Sequence, residues 1–312
     1  MTPKLSICLI TYNHEKFLAQ CLDGIIAQQC NFPIEIVIGE DKSTDSTPAI
    51  IAAYQNKYPE LIRLVTSEQN VGMVQNWRRT INAGRGEYIA IIEGDDFWTS
   101  SLKLQKQVDF LDAHPDFALS FHDVDVIFGP GVPEVDSLTR FKGETVFTIE
   151  DIITRNWFVP TCSIVIRKSM LADFPEWTKP LKAIDLVVQL MATSNGKAGY
   201  IAEKMGTYRI HAAGQSQVQW LGRENIIEFT FIEILKGFDI YSKGKYKTAI
   251  NERLQRAGKM LLAKNNPYSK YYFKAMFELI RLNPAKNISL VKDWIILNLV
   301  PNSVYRLYRR VK

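Results

Sequence analysis

Tyr88-Ile89-Ala90-Ile91-Ile92-Glu93-Gly94-Asp95-Asp96 is a short apolar run that ends in three carboxylates. The apolar residues read as a strand, and the acidic turn marks where the chain leaves the sheet. Three earlier runs have the same form: Leu5 to Thr11, Ile34 to Gly39 and Ile62 to Thr66. Between them the pattern turns helical, at Glu15 to Gln28, Ser46 to Lys57 and Val74 to Ala83, and Asp45-Ser46-Thr47-Pro48 supplies cap residues followed by proline. This alternation predicts an α/β fold with a mainly parallel central sheet flanked by helices. In such sheets ligands bind beyond the carboxyl ends of the strands. Tyr12, Asp41 and Asp95, far apart in sequence, are therefore expected to converge there.

Further along, Leu104 to Ala113 reads as a helix, and Asp123 to Glu144 as an irregular region in which Gly129-Pro130-Gly131 and Pro133 mark a loop. Ser163 to Ile166 has strand character and Ala183 to Ser194 helical character, followed by short segments at Tyr200-Ile201 and Gly206 to Ile210. From about Leu221 onward the chain is helical, with breaks at Ser242-Lys243-Gly244, Asn265-Asn266-Pro267, Asn283-Pro284 and Pro301-Asn302. The expected organisation is a catalytic domain over residues 1–220 and a helical region over 221–312.

The 312 residues, 46% of them apolar, suffice for a large domain with a smaller appendage. Thirty-eight basic residues against 33 acidic ones leave a formal charge of +5, too mild an excess to indicate nucleic acid. Cys8, Cys21, Cys30 and Cys162 form no metal-binding or redox spacing, which suits free thiols in a reducing compartment. No stretch reaches the roughly 18 apolar residues of a membrane span. A cytoplasmic location is expected.

Crowded carboxylates at a strand end repel one another unless a cation compensates them. Mg²⁺ or Mn²⁺ prefers oxygen ligands and commonly shares them with substrate phosphates. A solvated acidic turn or a helix cap is the alternative reading of Glu93 to Asp96. Tyr12 offers a ring face to a base and Asp41 an acceptor to a base N–H or a ribose hydroxyl, although a strand-end Tyr also packs on neighbours and an Asp in Asp41-Lys42-Ser43-Thr44-Asp45 also makes turn bonds.

In order, Leu5-Ser6-Ile7-Cys8-Leu9-Ile10-Thr11-Tyr12-Asn13, then Glu35-Ile36-Val37-Ile38-Gly39-Glu40-Asp41-Lys42-Ser43-Thr44-Asp45, then Gly86-Glu87-Tyr88-Ile89 leading to Glu93-Gly94-Asp95-Asp96-Phe97-Trp98, the chain resembles the family 2 glycosyltransferases of the GT-A fold over roughly residues 4 to 215. That resemblance implies an inverting, metal-dependent sugar transfer in bacterial polysaccharide synthesis. Tyr12 would stack on uracil or another base, Asp41 would bind the base, Glu93 would lie near the ribose, and Thr11 would complete the donor site. Asp95 would ligate Mn²⁺ or Mg²⁺, with Asp96 as an additional ligand. The implied donor is a nucleotide diphosphate sugar, a UDP-sugar first, and the implied acceptor a saccharide or lipid-linked saccharide. Glu40 and Glu93 stand where most relatives carry Asp.

Lys182-Ala183-Ile184-Asp185-Leu186 falls where relatives place the base that removes the acceptor proton, a role Asp185 can fill. An Asp at a helix start also compensates the macrodipole. The segment Tyr208-Arg209-Ile210-His211 resembles the close of the catalytic domain in many relatives, so His211 would complete the metal shell or touch a phosphate once Ala212 to Gln217 folds over the donor. In the tail, apolar Trp294, Ile295, Ile296, Leu297, Leu299 and Val300, followed by Tyr305, Leu307 and Tyr308 among Arg306, Arg309, Arg310 and Lys312, suit the face of an anionic membrane, or packing on the catalytic domain or a second subunit. Two rival functions are a metal-dependent nucleotidyltransferase, for which no glycine-rich basic loop is found, and a non-catalytic nucleotide-sugar-binding protein that keeps the fold.

Overall fold

A computed structural model describes residues 2–129, 141, 143–155, 157–171, 174–181, 183–211, 214 and 224–299. The chain divides into two compact units, Met1–Leu221 and Gly222–Lys312.

The first unit is built on one sheet. Strands β1 (Leu5–Thr11), β2 (Ile34–Glu40), β3 (Ile62–Val65) and β4 (Tyr88–Glu93) alternate with helices α1 (Leu18–Ile26), α2 (Thr47–Lys57) and α3 (Met73–Ala83). After them come β5 (Phe97–Trp98), α4 (Lys103–Ala113), β6 (Phe117–Phe128), β7 (Val146–Phe147), α5 (Ile149–Thr154), β8 (Val165–Arg167), α6 (Asp185–Thr193) and β9 (Lys197–Ile210). The strand order is β3-β2-β1-β4-β8-β6-β9-β5, with β7 on β9. The β3-β2-β1-β4 block is parallel, as is β6 with β9; β8, β5 and β7 pair antiparallel. The expected α/β architecture with a mainly parallel sheet is present, with β8 inserted antiparallel between β4 and β6 and with β5 and β7 antiparallel on β9.

All seven residues of β1 are buried because the strand is covered on both faces. Leu5, Ile7 and Leu9 join a core with Leu18, Cys21, Leu22 and Ile25 of α1, Ile51 of α2, and Leu104, Val108 and Leu111 of α4. On the other face the Cys8 thiol donates to the Thr80 carbonyl of α3. Here α3 lies so close to β2 that a Cβ on Gly39 would stand 1.9 Å from Thr80 Oγ1. Only glycine permits that approach.

Three differences from the sequence reading have local causes. Helix α1 starts at Leu18 and not at Glu15, because His14 and Glu15 bond across to the next loop: His14 N donates to Thr47 Oγ1 (2.9 Å) and Glu15 N to Asp45 Oδ2 (3.0 Å). The start of the irregular region, Asp123 to Phe128, is strand, paired with β9 through register shifts around His122 and Asp123 that break the simple alternation. The two short segments at Tyr200-Ile201 and Gly206 to Ile210 are parts of one 14-residue strand, β9. Most of the Gly129 to Pro133 loop, and nearly all of Ala212 to Gln217, lie outside the described residues.

The second unit contains helices Glu224–Tyr241, Lys247–Lys264, Lys270–Leu282, Pro284–Asn287 and Ser289–Leu299. Lys243 and Gly244 turn the chain between the first two with positive φ. A buried Arg253–Glu228 ion pair (2.7 Å) joins those two helices, and Gly258 lets Leu279 approach within 2.7 Å of where a Cβ would be. Among the described residues no helix is long and apolar enough to cross a membrane. The tail residues Tyr305, Arg306, Leu307, Tyr308, Arg309, Arg310 and Lys312 lie outside the described residues.

Candidate active site

The carboxyl ends of β1, β2 and β4 form one edge. There Gly94 N donates to the Ile10 carbonyl (2.9 Å), Asp96 N to the Glu93 carbonyl (3.1 Å) and Asp41 N to the Thr11 carbonyl (3.1 Å). The turn after β4 needs glycine for space: a Cβ on Gly94 would meet His14 Nδ1 at 2.9 Å and Thr11 Oγ1 at 3.0 Å. With that space open, Thr11, His14 and the acidic turn pack together.

Glu93, Asp95 and Asp96 each bring a carboxylate oxygen within 4.8 Å of the others. Asp95 Oδ2 is flanked by two imidazoles, His211 Nε2 at 3.0 Å and His14 Nε2 at 3.9 Å. Asp96 is 1% exposed; its Oδ1 accepts from Arg209 N (2.8 Å), and the Cys162 thiol is the further donor near the carboxyl. The Arg209 guanidinium donates to the Asp95 carbonyl and to Gln20 Oε1 (2.8 Å), and lies over the rings of Phe17 and Phe97. His211 in turn rests on Phe17, ring centroids 4.6 Å apart.

The electrostatics follow from this crowding. Burial and the charges of Asp95 and Asp185 push the Glu93 carboxyl up to about 8, against a hydrogen bond from Trp77. Burial, with Asp95 and Glu93 beside it, pushes Asp96 well above the usual carboxylate range. Asp95 is also pushed up by burial, but the His211 hydrogen bond and the two imidazoles outweigh this and hold it below its ordinary value. Burial lowers His14 despite the attraction of Asp95. The two imidazoles thus favour the ionised form at Asp95, while burial disfavours it at Glu93 and Asp96, where a nearby cation would act in the opposite sense.

Asp185 opens helix α6 and approaches the cluster closely enough for its charge to act on Glu93. Its Oδ2 accepts from Trp157 Nε1 (2.8 Å), and burial lifts its carboxyl above the ordinary range against the hydrogen bonds from Leu186 N and Trp157. Such a carboxylate is more basic than one in water.

On the β2 side the arrangement differs. Asp41 is 2% exposed, with Oδ1 accepting from Val71 N and Oδ2 from Gly72 N (both 2.9 Å), and with Arg79 3.4 Å away. Its carboxylate fixes the loop before α3 as well as bordering the edge. Glu40 accepts from Lys42 N (3.1 Å) and Ser43 N (2.6 Å), and Asn13 Oδ1 accepts from Thr44 N (2.8 Å). Tyr12 stands at the rim, 43% exposed. The fold thus gathers Thr11, Glu93, Asp95, Asp96 and His211, brings Asp185 to them, and keeps Asp41 in a separately bonded pocket beside Thr11.

Sequence reasoning gave no role to His14, Trp157, Trp77 or Arg209. His14 follows Tyr12-Asn13 directly, and that adjacency to a strand end was the available signal. His122 is fully buried with Nδ1 on the Asp123 carbonyl (2.7 Å), and burial pushes its pKa down to about 3.

A family model described as "Glycosyl transferase family 2" matches residues 6–171. The "Uncharacterized protein Rv1520" of Mycobacterium tuberculosis is 37% identical over 211 residues, covering 67% of this chain and 60% of that protein. The chain thus spans about 60% of the length of the curated relatives it matches first. Among solved structures, S. aureus TarS 1-349 superposes with a TM-score of 0.66 at 19% identity, covering 99% of this chain and 92% of the other. The mannosyltransferase PcManGT from Pyrobaculum calidifontis, in complex with GDP-Man and Mn²⁺, superposes at 0.56 with 15% identity, covering 95% and 86%. These two likenesses concern the fold.

Proposed function

We propose, from the premise that this chain belongs to glycosyl transferase family 2, that it transfers a sugar with inversion from a nucleoside diphosphate donor to an acceptor hydroxyl in cell-surface polysaccharide synthesis. The observation that carries this reading is the acidic cluster at the end of β4 together with a further buried carboxylate, Asp185, near enough for its charge to act on Glu93.

The residues present fit a divalent cation. Among the described residues, Asp96 is buried with only a thiol, Cys162, beside its Arg209 amide as donor, and burial with the neighbouring carboxylates pushes both Glu93 and Asp96 above the ordinary range, a cost that a cation would offset. Oxygen donors with one imidazole suit Mn²⁺ or Mg²⁺, and Asp95, Asp96 and His211 would hold the ion. When bound, it supplies positive charge toward the leaving diphosphate. PcManGT, of the same fold, is solved with GDP-Man and Mn²⁺, which supports testing a nucleotide sugar and that ion here.

The other roles belong to this chain's own side chains. Tyr12 presents its exposed ring to the base, Asp41 shapes the adjoining pocket and accepts from the base, and Thr11 Oγ1, buried without a partner, faces the donor from the end of β1. Glu93 lies beside the ribose. Asp185 takes the acceptor proton as the hydroxyl attacks the anomeric carbon opposite the departing diphosphate. Residues 1–220 carry this chemistry, and 221–312 bring the enzyme to a saccharide or lipid-linked acceptor by peripheral contact with the inner face of the cell membrane.

A thermal-shift screen of UDP- and GDP-sugars, each with Mn²⁺, Mg²⁺ or chelator, tests the reading. A bound donor stabilises the native state by mass action, about 2.7 kcal/mol at a hundredfold excess over Kd. One donor should stabilise the protein selectively and only with the metal. Stabilisation that ignores the metal, or no stabilisation by any nucleotide sugar, would overturn it.

A further inference from the structure

Between α5 and β8, Trp157 has one edge on the proposed base and one ring face on the strand that supports the metal side of the site. Its indole N–H donates to Asp185 Oδ2 at 2.8 Å, and its ring lies 5.6 Å from that of Tyr208, tilted by 50°. Tyr208 belongs to β9, immediately before Arg209, which binds Asp96 and the Asp95 carbonyl, and three residues before His211 on Asp95 Oδ2. One side chain therefore spans the two halves of the proposed chemistry.

We propose that Trp157 is a positioning residue for sugar transfer: by holding Asp185 Oδ2 it keeps the carboxylate that takes the acceptor proton in fixed register with the carboxylates held by β9. The inference rests on the reading of Asp185 as the base. A carboxylate at the first position of a helix can rotate about its side-chain torsions, and the other donors acting on it, its own N–H and that of Leu186, belong to its own helix. Among the described residues the indole is the donor that comes from another element and ties the carboxylate to the rest of the site. Rotation away would cost productive geometry without weakening donor binding. Because the N–H favours the charged carboxylate, its loss also raises the pH at which Asp185 ionises.

The test uses the full chain, Trp157→Phe, Asp185→Asn and the double variant. Trp157→Phe keeps a ring against Tyr208 and removes only the donor. Hydrolysis of UDP-N-acetylglucosamine or GDP-mannose with Mn²⁺, whichever stabilises the protein, is followed across pH, and ¹⁵N-indole spectra across the same range require no substrate. Trp157→Phe should lower turnover roughly tenfold or more, the scale of a lost hydrogen bond to a charged group, move the acidic limb of the profile to higher pH, and leave donor affinity unchanged. The Trp157 indole resonance should titrate in the wild type and lose most of that step in Asp185→Asn. The double variant should be no slower than Asp185→Asn alone, since one residue acts through the other. A flat resonance in the wild type, or losses that multiply in the double variant, would overturn the proposal. Full turnover by Trp157→Phe beside a crippled Asp185→Asn would remove Trp157 alone, whereas full turnover by Asp185→Asn would remove the base itself.

Discussion

Strands β2 and β4 treat their carboxylates in opposite ways. On the β2 side, Glu35, Glu40 and Asp41 are buried and bonded: Glu35 accepts from Ser6 Oγ, Arg85 N and the Arg85 guanidinium, Glu40 from two loop amides, and Asp41 from Val71 and Gly72. On the β4 side, Glu93, Asp95 and Asp96 face one another, and burial with mutual repulsion pushes Glu93 and Asp96 up. Bonded carboxylates lower the energy of the fold and set the shape of a loop. Crowded ones raise it, and that cost is tolerable where a ligand relieves it.

The largest effect should separate these classes. Asp95→Asn is expected to reduce sugar transfer by about 10²-fold or more by weakening cation and donor binding, with a melting temperature close to wild type in chelator. Calorimetric Mn²⁺ titration checks it, and unchanged affinity would move Asp95 out of the site. On the bonded side, Glu35→Ala should cost roughly 2 to 3 kcal/mol of folding stability, because Ser6 Oγ and Arg85 N lose a charged acceptor. Urea unfolding measures this, and the folded fraction should still bind donor with normal affinity. A smaller effect belongs to the rim, where Tyr12→Ala should weaken nucleoside diphosphate binding by about 1 to 2 kcal/mol if a base stacks there. Equal affinity by calorimetry would assign Tyr12 to packing.

The smallest effect is a sign. A carboxyl raised to about 8 in the folded protein binds a proton that the unfolded chain has released above its ordinary range, so metal-free stability should fall as pH rises toward 8. Glu35, held below its ordinary value by Ser6 and Arg85 against the opposing effect of burial, contributes stability that disappears only in acid. Melting curves between pH 6 and 8 should show the decline in chelator, less of it with Mn²⁺, and less again in Glu93→Gln. A rising or flat metal-free curve would contradict the protonated state of the cluster.

Both the sheet and the acidic turn were legible in the sequence because their signals are local: apolar runs of strand length, and carboxylates too close together to ignore. What surrounds them was not. Asp41 reads as a strand-end acid, yet the amides that bind it belong to Val71 and Gly72. Asp96 is held by Arg209 and Asp185 by Trp157, partners that meet only after β9 has crossed the sheet and α5 has turned back to it. The alternation of β9 was obscured by its register shifts against β6, so a continuous strand read as two fragments and the route by which Arg209 and His211 reach Asp95 could not be drawn. His14 carried only its adjacency to Tyr12-Asn13, which does not reveal that the open space over Gly94 admits its ring.

That space over Gly94 also limits how the acidic turn can drift in descent. Alanine at 94 would put a methyl carbon 2.9 Å from the His14 ring and 3.0 Å from the Thr11 hydroxyl, so the ring would have to move and the hydroxyl to give a little. A lineage that loses this glycine must therefore resettle the imidazole beside Asp95 at the same step.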